Sequence, residues 1–486
     1  MDRREPIHIP ETPEEVQAFI RSVPAYASDR DDPSFKPLGE LRELQNRNLR
    51  RQLELVAAGS RHYGDLLRRE GLSVDDISTV DDLVRLPVTT KQEYMADPEA
   101  FRLQLPEPTL YDVTYTTTYT SGTTTGAPTP FYNTAHDVLG WMYVMGRRGY
   151  KISYLTPDDV VFSAFPVAPI PHIGFLNLPF MIAALGGTWG AAYGGTPYAE
   201  FPLQRSSEEI LDAMERIRPT VVMGIASYLR RMFRNAEREG RDLSSIQHVW
   251  AAGEAAPKGM RDDIRGRLQA MGGREIFVNN GFGFTEAQVQ WCECHELGRC
   301  HNPDPSQFFV EVVDPYTHER LPDEEVGLLT ITHLNRRGTV LLRYALGDLA
   351  AISHGPCPWC GRSADQLMVK VGSTYATRTK DLLKIKGELV NPETMKDRVV
   401  RVPGVVEYQI VITKEDELDP YSMDRLVVRV ASEGREQSEI EREIAGAVYQ
   451  ASMVTPVVEF IEDLSEIFDP LKEFKARRVV DKRPQD

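Results

Sequence analysis

Between residues 158 and 350, short β-rich runs alternate with helical patterns, and this alternation limits the possible folds more than any other feature of the sequence. Each run ends in glycine or other small residues. Three of them are PTVVMGI (219–225), SIQHVWAAG (245–253) and EIFVNNGFG (275–283). Alternating strands and helices build a sheet with helices packed against its faces. Because ligands of open α/β sheets bind at strand ends, the pattern predicts an α/β protein with its site at the ends of these runs.

The chain beyond residue 377 has a different pattern, with three strands and one amphipathic helix. In GVVEYQIVI (404–412), apolar residues alternate with Glu407 and Gln409 on the opposite face. The remaining elements are the strands LVVRV (426–430) and VVEFI (457–461) and the helix carrying Ile440, Ile444 and Val448. A unit of about 100 residues is a common domain size. We therefore predict a large multi-layer α/β domain over residues 1–377 and a small α+β domain over residues 378–486.

The composition excludes several classes of partner. The net charge of −16, from 56 basic and 72 acidic residues, argues against non-specific nucleic-acid binding, which needs a basic surface. The N-terminal residues lack the apolar core of a secretory signal peptide, and prolines interrupt the most apolar stretch, Val160–Ala192. The odd number of cysteines, five, is typical of a reducing compartment. We expect a cytoplasmic protein that binds neither a membrane nor a nucleic acid. We also consider that it forms a homodimer.

The stretch TYTSGTTTGAPTPFYNT (118–134) concentrates hydroxyl side chains and glycines. Such residues are common in plain surface turns. They also suit an anion cradle, because glycines let backbone N–H groups approach a phosphate and hydroxyls add further donors. A Walker-type loop is excluded, since it needs a Gly-Lys pair and this chain has none. The stretch alone leaves both interpretations open.

Four further stretches accompany it in a fixed order. They are AAGEAAP (251–257), GFGFTEA (281–287), LLRYALGDLA (341–350) and FKARRVVDKR (474–483). Each alone is also typical of a turn, a helix cap or a solvated tail. Together with LPVTTKQEY near the N-terminus, the ordered set resembles the phenylacetate–CoA ligase family of the adenylate-forming superfamily. The resemblance extends over nearly the whole chain.

The resemblance implies a large N-terminal α/β domain, a small mobile C-terminal domain and a two-step reaction. In that reaction a carboxylate and ATP give an acyl-adenylate and pyrophosphate, and coenzyme A then displaces AMP. Arg378 and Lys380 match the family's hinge, and Gly387 matches the glycine that opens a path for the pantetheine arm. An amine or the phosphopantetheine of a carrier protein is an alternative acceptor, because such ligases share these motifs.

The resemblance also assigns the nucleotide site. The phosphate loop would be formed by Thr120, Ser121, Gly122, Thr123, Thr124 and Gly126. The nucleotide pocket would be lined by Gly253, Glu254, Ala255, Phe282 and Gly283. In this pocket Phe282 would stack on adenine, and the carboxylate of Asp348 would accept hydrogen bonds from the ribose hydroxyls.

Three residues match the family's catalytic positions. Thr285 would contact the α-phosphate, and Glu286 would hold Mg²⁺, which prefers carboxylate and phosphate oxygens. Lys475 matches the C-terminal lysine that bridges to the reacting carboxylate oxygen. These residue types suit the chemistry, because two anions must be brought together and the growing charge must be stabilised.

The phosphate loop departs from the family pattern at two positions. Thr125 is an extra residue, and Ala127 stands where the family has lysine. Loss of that lysine removes a phosphate contact but leaves the backbone cradle. The departure motivates an alternative, a non-catalytic nucleotide-binding protein. A separate departure, Phe282 in place of tyrosine, keeps the stacking surface.

Two short segments, CECHELGRCH (292–301) and CPWC (357–360), hold all five cysteines. Thiolates and imidazoles at this spacing suit tetrahedral zinc. Some family members carry Cys-x6-His followed by a Cys pair, which selects Cys294, His301, Cys357 and Cys360 as a structural site. Cys292 and Cys300 are rival ligands. Five buried or free thiols are the other interpretation.

The acid would bind near FPVAPIPHIGFLNLPF (165–180), where the family builds its acyl-binding wall. The candidate lining residues are His172, Ile173, Gly174, Phe175, Ala226 and Phe284. An apolar lining suits an aromatic or otherwise hydrophobic acid. The same side chains are equally typical of a protein core.

Overall fold

The computed structural model of the chain describes Thr12 and residues 32–108, 112–119, 129–165, 173–194, 205–253, 256, 258–368, 377–378, 383–385, 388–390, 392–416, 423–452, 454–467 and 477–483. No helix among these residues is long and apolar enough to cross a membrane. The helices and strands named below all lie within these ranges.

Helices occur throughout the described residues. The α-helices are α1 (Leu38–Gly59), α2 (Arg61–Glu70), α3 (Lys91–Ala96), α4 (Ala135–Tyr143), α5 (Tyr150–Ile152), α6 (Ile173–Leu176), α7 (Leu178–Leu185), α8 (Ser207–Ile217), α9 (Ala226–Arg238), α10 (Lys258–Ala270), α11 (Pro392–Val400) and α12 (Gln437–Ser452). Single 3₁₀ turns lie at Pro33–Phe35, Val74–Asp76, Asp82–Arg85, Pro98–Phe101 and Leu464–Glu466, and a π-helical turn at Val144–Gly149 joins α4 to α5. Capping boxes start α3, α4 and α8, because the hydroxyls of Thr90, Thr134 and Ser206 each accept from the backbone three residues on.

Strands supply the framework of both halves. They are β1 (Thr114–Tyr119), β2 (Pro130–Thr134), β3 (Val160–Ser163), β4 (Thr188–Ala191), β5 (Val221–Ile225), β6 (His248–Ala252), β7 (Phe277–Phe284), β8 (Val289–Glu293), β9 (Cys300–His301), β10 (Phe308–Val313), β11 (Gly327–His333), β12 (Tyr344–Ser353), β13 (Gln366–Met368), β14 (Thr377–Arg378), β15 (Leu383–Ile385), β16 (Glu388–Val390), β17 (Val405–Lys414), β18 (Asp424–Ser432), β19 (Val457–Phe460) and β20 (Val479–Asp481).

A 12-stranded mixed sheet dominates the fold, in the order β10-β11-β12-β13-β9-β8-β7-β6-β5-β3-β4, with β14 paired to β12. The strands from β7 to β4 are parallel, and the remaining pairs are antiparallel. The three runs that the sequence predicts as strands are β5, β6 and β7, and they are direct neighbours. The predicted α/β class is therefore confirmed, and the three strand ends meet at one edge.

Two apolar clusters cover the faces of this sheet. One packs α1, α2 and the π-helical turn against the strands, and the other packs α8, α9 and α10 against the opposite face. Fully buried aromatic side chains such as Trp250 and Trp291 lie within the first cluster. The large buried area of such side chains accounts for much of the hydrophobic stabilisation of the sheet.

The C-terminal residues form a separate four-stranded sheet in the order β19-β18-β17-β20. Ile440, Ile444 and Val448 of α12 are fully buried in its own apolar cluster, as the helical pattern predicts. The alternation in β17 predicted the burial of its side chains less well. Glu407 and Gln409 are buried as well, because the segment around Arg478 covers the second face of β17 and supplies their partners.

Candidate active site

The carboxyl ends of β5, β6 and β7 form one edge of the large sheet. Ile225, Ala252 and Gly281 lie side by side in the strand register at that edge. Gly253 follows β6 with φ of +76°, a conformation that glycine adopts at little cost. Of the predicted adenine-pocket residues, Gly253 is thereby placed next to the end of β7, and Glu254 and Ala255 lie outside the described residues.

The hairpin between β7 and β8 carries the aromatic and catalytic candidates. Phe282 is half-buried, with its ring centroid 5.4 Å from that of Phe284, which in turn stacks on Trp291. A Cβ at Gly283 would lie 2.7 Å from Cγ of Gln290, so glycine keeps this part of the strand open. The two phenylalanines predicted for adenine and for the acid are therefore adjacent.

Thr285 and Glu286 form the tight turn after β7, and both are buried. The backbone N–H groups of Ala287 and Gln288 close the turn by donating to the carbonyl of Phe284, at 3.2 and 3.3 Å. A short turn of this kind holds two neighbouring polar side chains in one geometry. Both residues of the Thr-Glu motif lie within the described residues.

His333, at the end of β11, supports that turn from the other side. Its Nε2–H donates to the carbonyl oxygen of Glu286 at 3.1 Å, and its Nδ1 accepts from the backbone N–H of Leu341 at 3.2 Å. Burial holds the pKa of His333 well below its usual range, so the ring is neutral. The sequence analysis missed this residue, because it lies 47 positions from Glu286 and belongs to no motif.

The predicted phosphate loop lies in the sequence between β1 and β2, which pair with each other. In the antiparallel register of β1 and β2, Tyr119 lies opposite Pro130. Residues 120–128, which include all six predicted loop residues, lie outside the described residues. At the base of the hairpin, Thr118 is fully buried and its Oγ1 accepts from Nδ2 of Asn133 at 3.2 Å. This bond joins the two described strands near the ends that flank the predicted phosphate loop.

Asp348 lies on β12 directly opposite Arg378 of β14 in the antiparallel register. It is buried, and the preceding Gly347 has φ of +82°. The structure therefore brings the predicted ribose ligand and the predicted hinge arginine to one place. Lys380 and Gly387 lie outside the described residues.

Lys475 also lies outside the described residues, but the chain that follows it is anchored. The carbonyl of Arg477 accepts from Nε2 of Gln409 at 3.0 Å. Arg478 forms a bidentate ion pair with Glu407 and donates to the carbonyl of Tyr408 at 3.0 Å. This pair, which lies between β17 and the segment before β20, restrains the C-terminal end of the segment that carries Lys475.

The candidate acid pocket is described in part. Ile173 and Gly174 lie in α6, and His172 lies outside the described residues. The ring of Phe175 meets Tyr193 edge-on at 6.0 Å. Ala226 is the fully buried first residue of α9 and belongs to the apolar cluster beneath the sheet. Phe175 and Phe284 thus remain the described candidates with side chains large enough to line a pocket.

Four side chains form a compact cluster beside β8, β9 and β13. Sγ of Cys294 lies 3.2 Å from Nε2 of His301 and 3.7 Å from Sγ of Cys357, and Sγ of Cys360 lies 3.4 Å from the same Nε2. All four donor atoms lie within 4.8 Å of one another. Ligands of tetrahedral zinc with Zn–S near 2.3 Å are separated by about 3.5–3.8 Å. The donor set and its spacing therefore fit that ion.

The two rival cysteines do not join the cluster. Cys292 and Cys300 are buried elsewhere, and Sγ of Cys292 donates to the carbonyl of Gln290 at 3.3 Å. Burial raises the pKa of both thiols well above the usual range. They are protonated core residues, whereas the other three cysteines lie in the cluster with His301.

Three comparisons place the chain among known proteins. Residues 62–335 match the family model described as AMP-binding enzyme. The chain is 28% identical to a phenylacetate–coenzyme A ligase of Thermus thermophilus over 79% of this chain and 80% of the relative. It is 23% identical to a phenylacetate–coenzyme A ligase of Aromatoleum evansii over 92% and 96% of the two chains. A crystal structure of 2-hydroxyisobutyryl-CoA ligase in the postadenylation state superposes with a TM-score of 0.77 at 20% identity, covering 94% of both chains.

Proposed function

This chain belongs to the AMP-binding enzyme family, and we propose that it activates an aromatic or otherwise hydrophobic carboxylic acid and transfers the acyl group to coenzyme A. The resemblance to phenylacetate–CoA ligases is confirmed by the relatives, as are the fold and the enzyme class, an AMP-forming acid–thiol ligase. The observation that carries the finer proposal is the convergence of the motif residues. The β7–β8 turn, the end of β6 and the base of the β1–β2 hairpin meet at one sheet edge.

In the first step, a carboxylate oxygen of the acid attacks the α-phosphorus of ATP, and the bond to pyrophosphate breaks. The Thr285 hydroxyl would donate to the α-phosphate, and the loop from Thr120 to Gly126 would hold the outer phosphates. The carboxylate of Glu286 would bind Mg²⁺, which neutralises phosphate charge when bound. Lys475 would place a cation at the carboxylate oxygen. Donors fixed before the reaction stabilise the charge that develops in it.

In the second step, the sulfur of coenzyme A attacks the acyl carbon, and the bond to AMP breaks. The names of the relatives support coenzyme A as the acceptor. The apolar side chains of Phe175 and Phe284 support a hydrophobic acid. An amine or a carrier-protein phosphopantetheine is distinguished by offering each acceptor in turn and identifying the acyl product.

The test is ATP–pyrophosphate exchange with a panel of aromatic and aliphatic acids, including phenylacetate, with and without Mg²⁺. We expect Mg²⁺-dependent exchange with one class of acid. Replacing Lys475 by alanine should abolish exchange and spare thioester formation from a supplied acyl-adenylate, because the cation acts only in the first step. Lys472→Ala, in the same segment, is the matched control and should retain both activities.

Two outcomes would contradict the proposal. Equal loss of both half-reactions in Lys475→Ala would remove the role given to that lysine. Protein that binds ATP but exchanges pyrophosphate with no acid in the panel would favour the non-catalytic alternative, which Ala127 in the phosphate loop motivates.

We also propose a structural zinc ion held by Cys294, His301, Cys357 and Cys360. The tetrahedral donor spacing supports it, as does the exclusion of Cys292 and Cys300. Four protein ligands leave no open position for substrate, so the ion would stabilise the fold and take no part in the reaction. The cytoplasmic location, the homodimer and the boundary at residue 377 remain predictions from the sequence.

A further inference from the structure

The side chain of Gln288, in the turn that leads into β8, is fully buried and joins three separate segments of the site. Its Nε2 donates to Oγ1 of Thr118 at 2.7 Å and to the carbonyl oxygen of Thr285 at 2.5 Å. Its Oε1 accepts from Nδ2 of Asn177 at 3.1 Å. Both donor hydrogens of the amide are therefore used, and its oxygen has a partner.

Each partner belongs to a different part of the proposed site. Thr118 is the penultimate residue of β1, two positions before the first predicted residue of the phosphate loop, Thr120. Thr285 precedes the proposed magnesium ligand Glu286. Asn177 joins α6 to α7, beside the candidate acid-binding residue Phe175. One amide group thus connects the segments proposed for the outer phosphates, the α-phosphate and the acid.

The backbone at this position provides an independent observation. Gln288 has φ of +64°, in the left-handed region that favours glycine. A non-glycine residue persists in such a conformation only when the surrounding structure determines it, and such positions cluster at functional sites. Here the conformation turns the side chain into the interior, where its three hydrogen bonds are made.

Because the three hydrogen bonds of the amide are buried, losing any one of them is costly. Asn177 is buried, and Thr118 is fully buried and also accepts from Asn133. A buried polar group that loses its partner carries the full cost of desolvation, and bonds in a low-dielectric interior are stronger than in water. A shift of one segment relative to the others would therefore leave several buried groups unpaired.

We propose that Gln288 is a positioning residue that holds the base of the phosphate loop, the Thr285–Glu286 turn and the start of α7 in one geometry. The inference rests on the proposed function only in that these segments bind ATP and the acid. Gln288 touches none of the reacting atoms. It acts through Thr118 and Thr285, which it aligns toward one nucleotide.

The test is the dissociation constant of MgATP, measured by calorimetry without any acid, for the full chain and for Gln288→Met. Methionine has a similar volume and makes none of the three hydrogen bonds. We expect ATP affinity to fall by about tenfold, the change that corresponds to one or two lost hydrogen bonds. Gln45→Met is the matched control, because Gln45 is a fully buried glutamine of α1 that bonds to the carbonyl of Pro305 and to Arg42.

A double-substitution cycle with Thr118→Val separates positioning from a general loss of stability. The two substitutions break the same hydrogen bond, so the double variant should bind ATP little more weakly than Gln288→Met alone. Gln45→Met should lower the unfolding temperature and leave the ATP dissociation constant within twofold of the unaltered protein. If Gln45→Met is combined with Thr118→Val, we expect the two effects on stability to add.

Three results would overturn the proposal. The first is an ATP dissociation constant within twofold of the unaltered protein in folded Gln288→Met, and the second is a double variant whose fold loss of ATP affinity equals the product of the two single losses. The third is a weakening of ATP binding by Gln45→Met as large as that by Gln288→Met. Failure of the proposed function is distinguishable, because it appears as absent pyrophosphate exchange in protein that still binds ATP. Protein that binds no ATP would contradict both.

Discussion

His248, on β6, is a buried histidine that stays neutral at physiological pH. Its Nε2–H donates to Oδ1 of Asn279 at 2.8 Å, and Asn279 in turn donates to Oγ of Ser153. Burial lowers the pKa of His248 from 6.5 to about 4, against the smaller opposing effect of Asn279. The ring is a hydrogen-bonded core residue between strands of the parallel sheet.

This shift predicts how stability depends on pH. Between pH 6.5 and about 4 the unfolded chain binds a proton at His248 and the folded chain does not. The free energy of unfolding therefore falls as the pH falls through this window, by about 3 kcal/mol for this group. Urea denaturation at several pH values checks it. His248→Gln should flatten the dependence of the unfolding free energy on pH. His318→Gln, on a surface turn, is the control and should leave it unchanged. An unchanged slope in His248→Gln would contradict the prediction.

At the scale of elements, the residues of the cysteine and histidine cluster lie within or next to the short strands β8, β9 and β13. Cys294 follows β8, His301 lies in β9, and Cys357 and Cys360 lie between β12 and β13. Strands β9 and β13 have only two and three residues, so each makes few hydrogen bonds to its neighbours in the sheet. A metal ion at the cluster would restrain these strands further. Strand β8 connects the cluster to the β7–β8 turn.

Removing one ligand should therefore release the metal and loosen these strands. We expect Cys357→Ser to lose the bound zinc and to unfold at a temperature several degrees lower, because binding free energy of a structural zinc contributes to folding. Elemental analysis of the purified protein, together with thermal unfolding, measures both effects. Cys292→Ser is the control and should keep its metal, since Cys292 lies outside the cluster. Equal zinc content in the two variants would rule out this site.

At the scale of the whole molecule, the apolar cores on the two sides of residue 377 are separate. Among the residues that the structure describes, the cluster around β17, β18 and α12 shares none with the two clusters that cover the large sheet. A described ion pair between the halves joins Arg234 to Glu433 at 3.8 Å, and the Glu433 side chain is 69% exposed. An exposed pair of this kind contributes little.

Separate cores predict that the full chain can be cleaved into two folded parts. We expect brief trypsin treatment of native protein to cut first after Arg378 or Lys380 and to give residues 1–378 and 379–486 or 1–380 and 381–486, because each side of this boundary has its own apolar core. Mass spectrometry of the fragments provides the measurement. Arg378→Gln combined with Lys380→Gln should suppress the cut. First cuts within β5 to β7 would show that the boundary is wrong.

Much of the fold and part of the site could be predicted from local pattern. The runs at β5, β6 and β7, the buried face of α12 and the Thr285–Glu286 turn all follow from periodicity or from adjacent residues in a motif. Such signals are local, because a strand or helix repeats its apolar face every few residues. They fail where a second layer arrives from elsewhere, as it does over Glu407 and Gln409.

The sequence by itself determined the elements, the family motifs and the set of cysteines and histidines able to bind a metal. The tertiary structure alone decided which distant residues meet outside these motifs. It brought the four ligand candidates that the family spacing selects within 4.8 Å of one another, and it joined Gln288 to Thr118 and Asn177, 170 and 111 positions away. The physical reason is that local pattern depends on neighbours along the chain, whereas these contacts depend on strand register and on the side of the sheet that each segment covers.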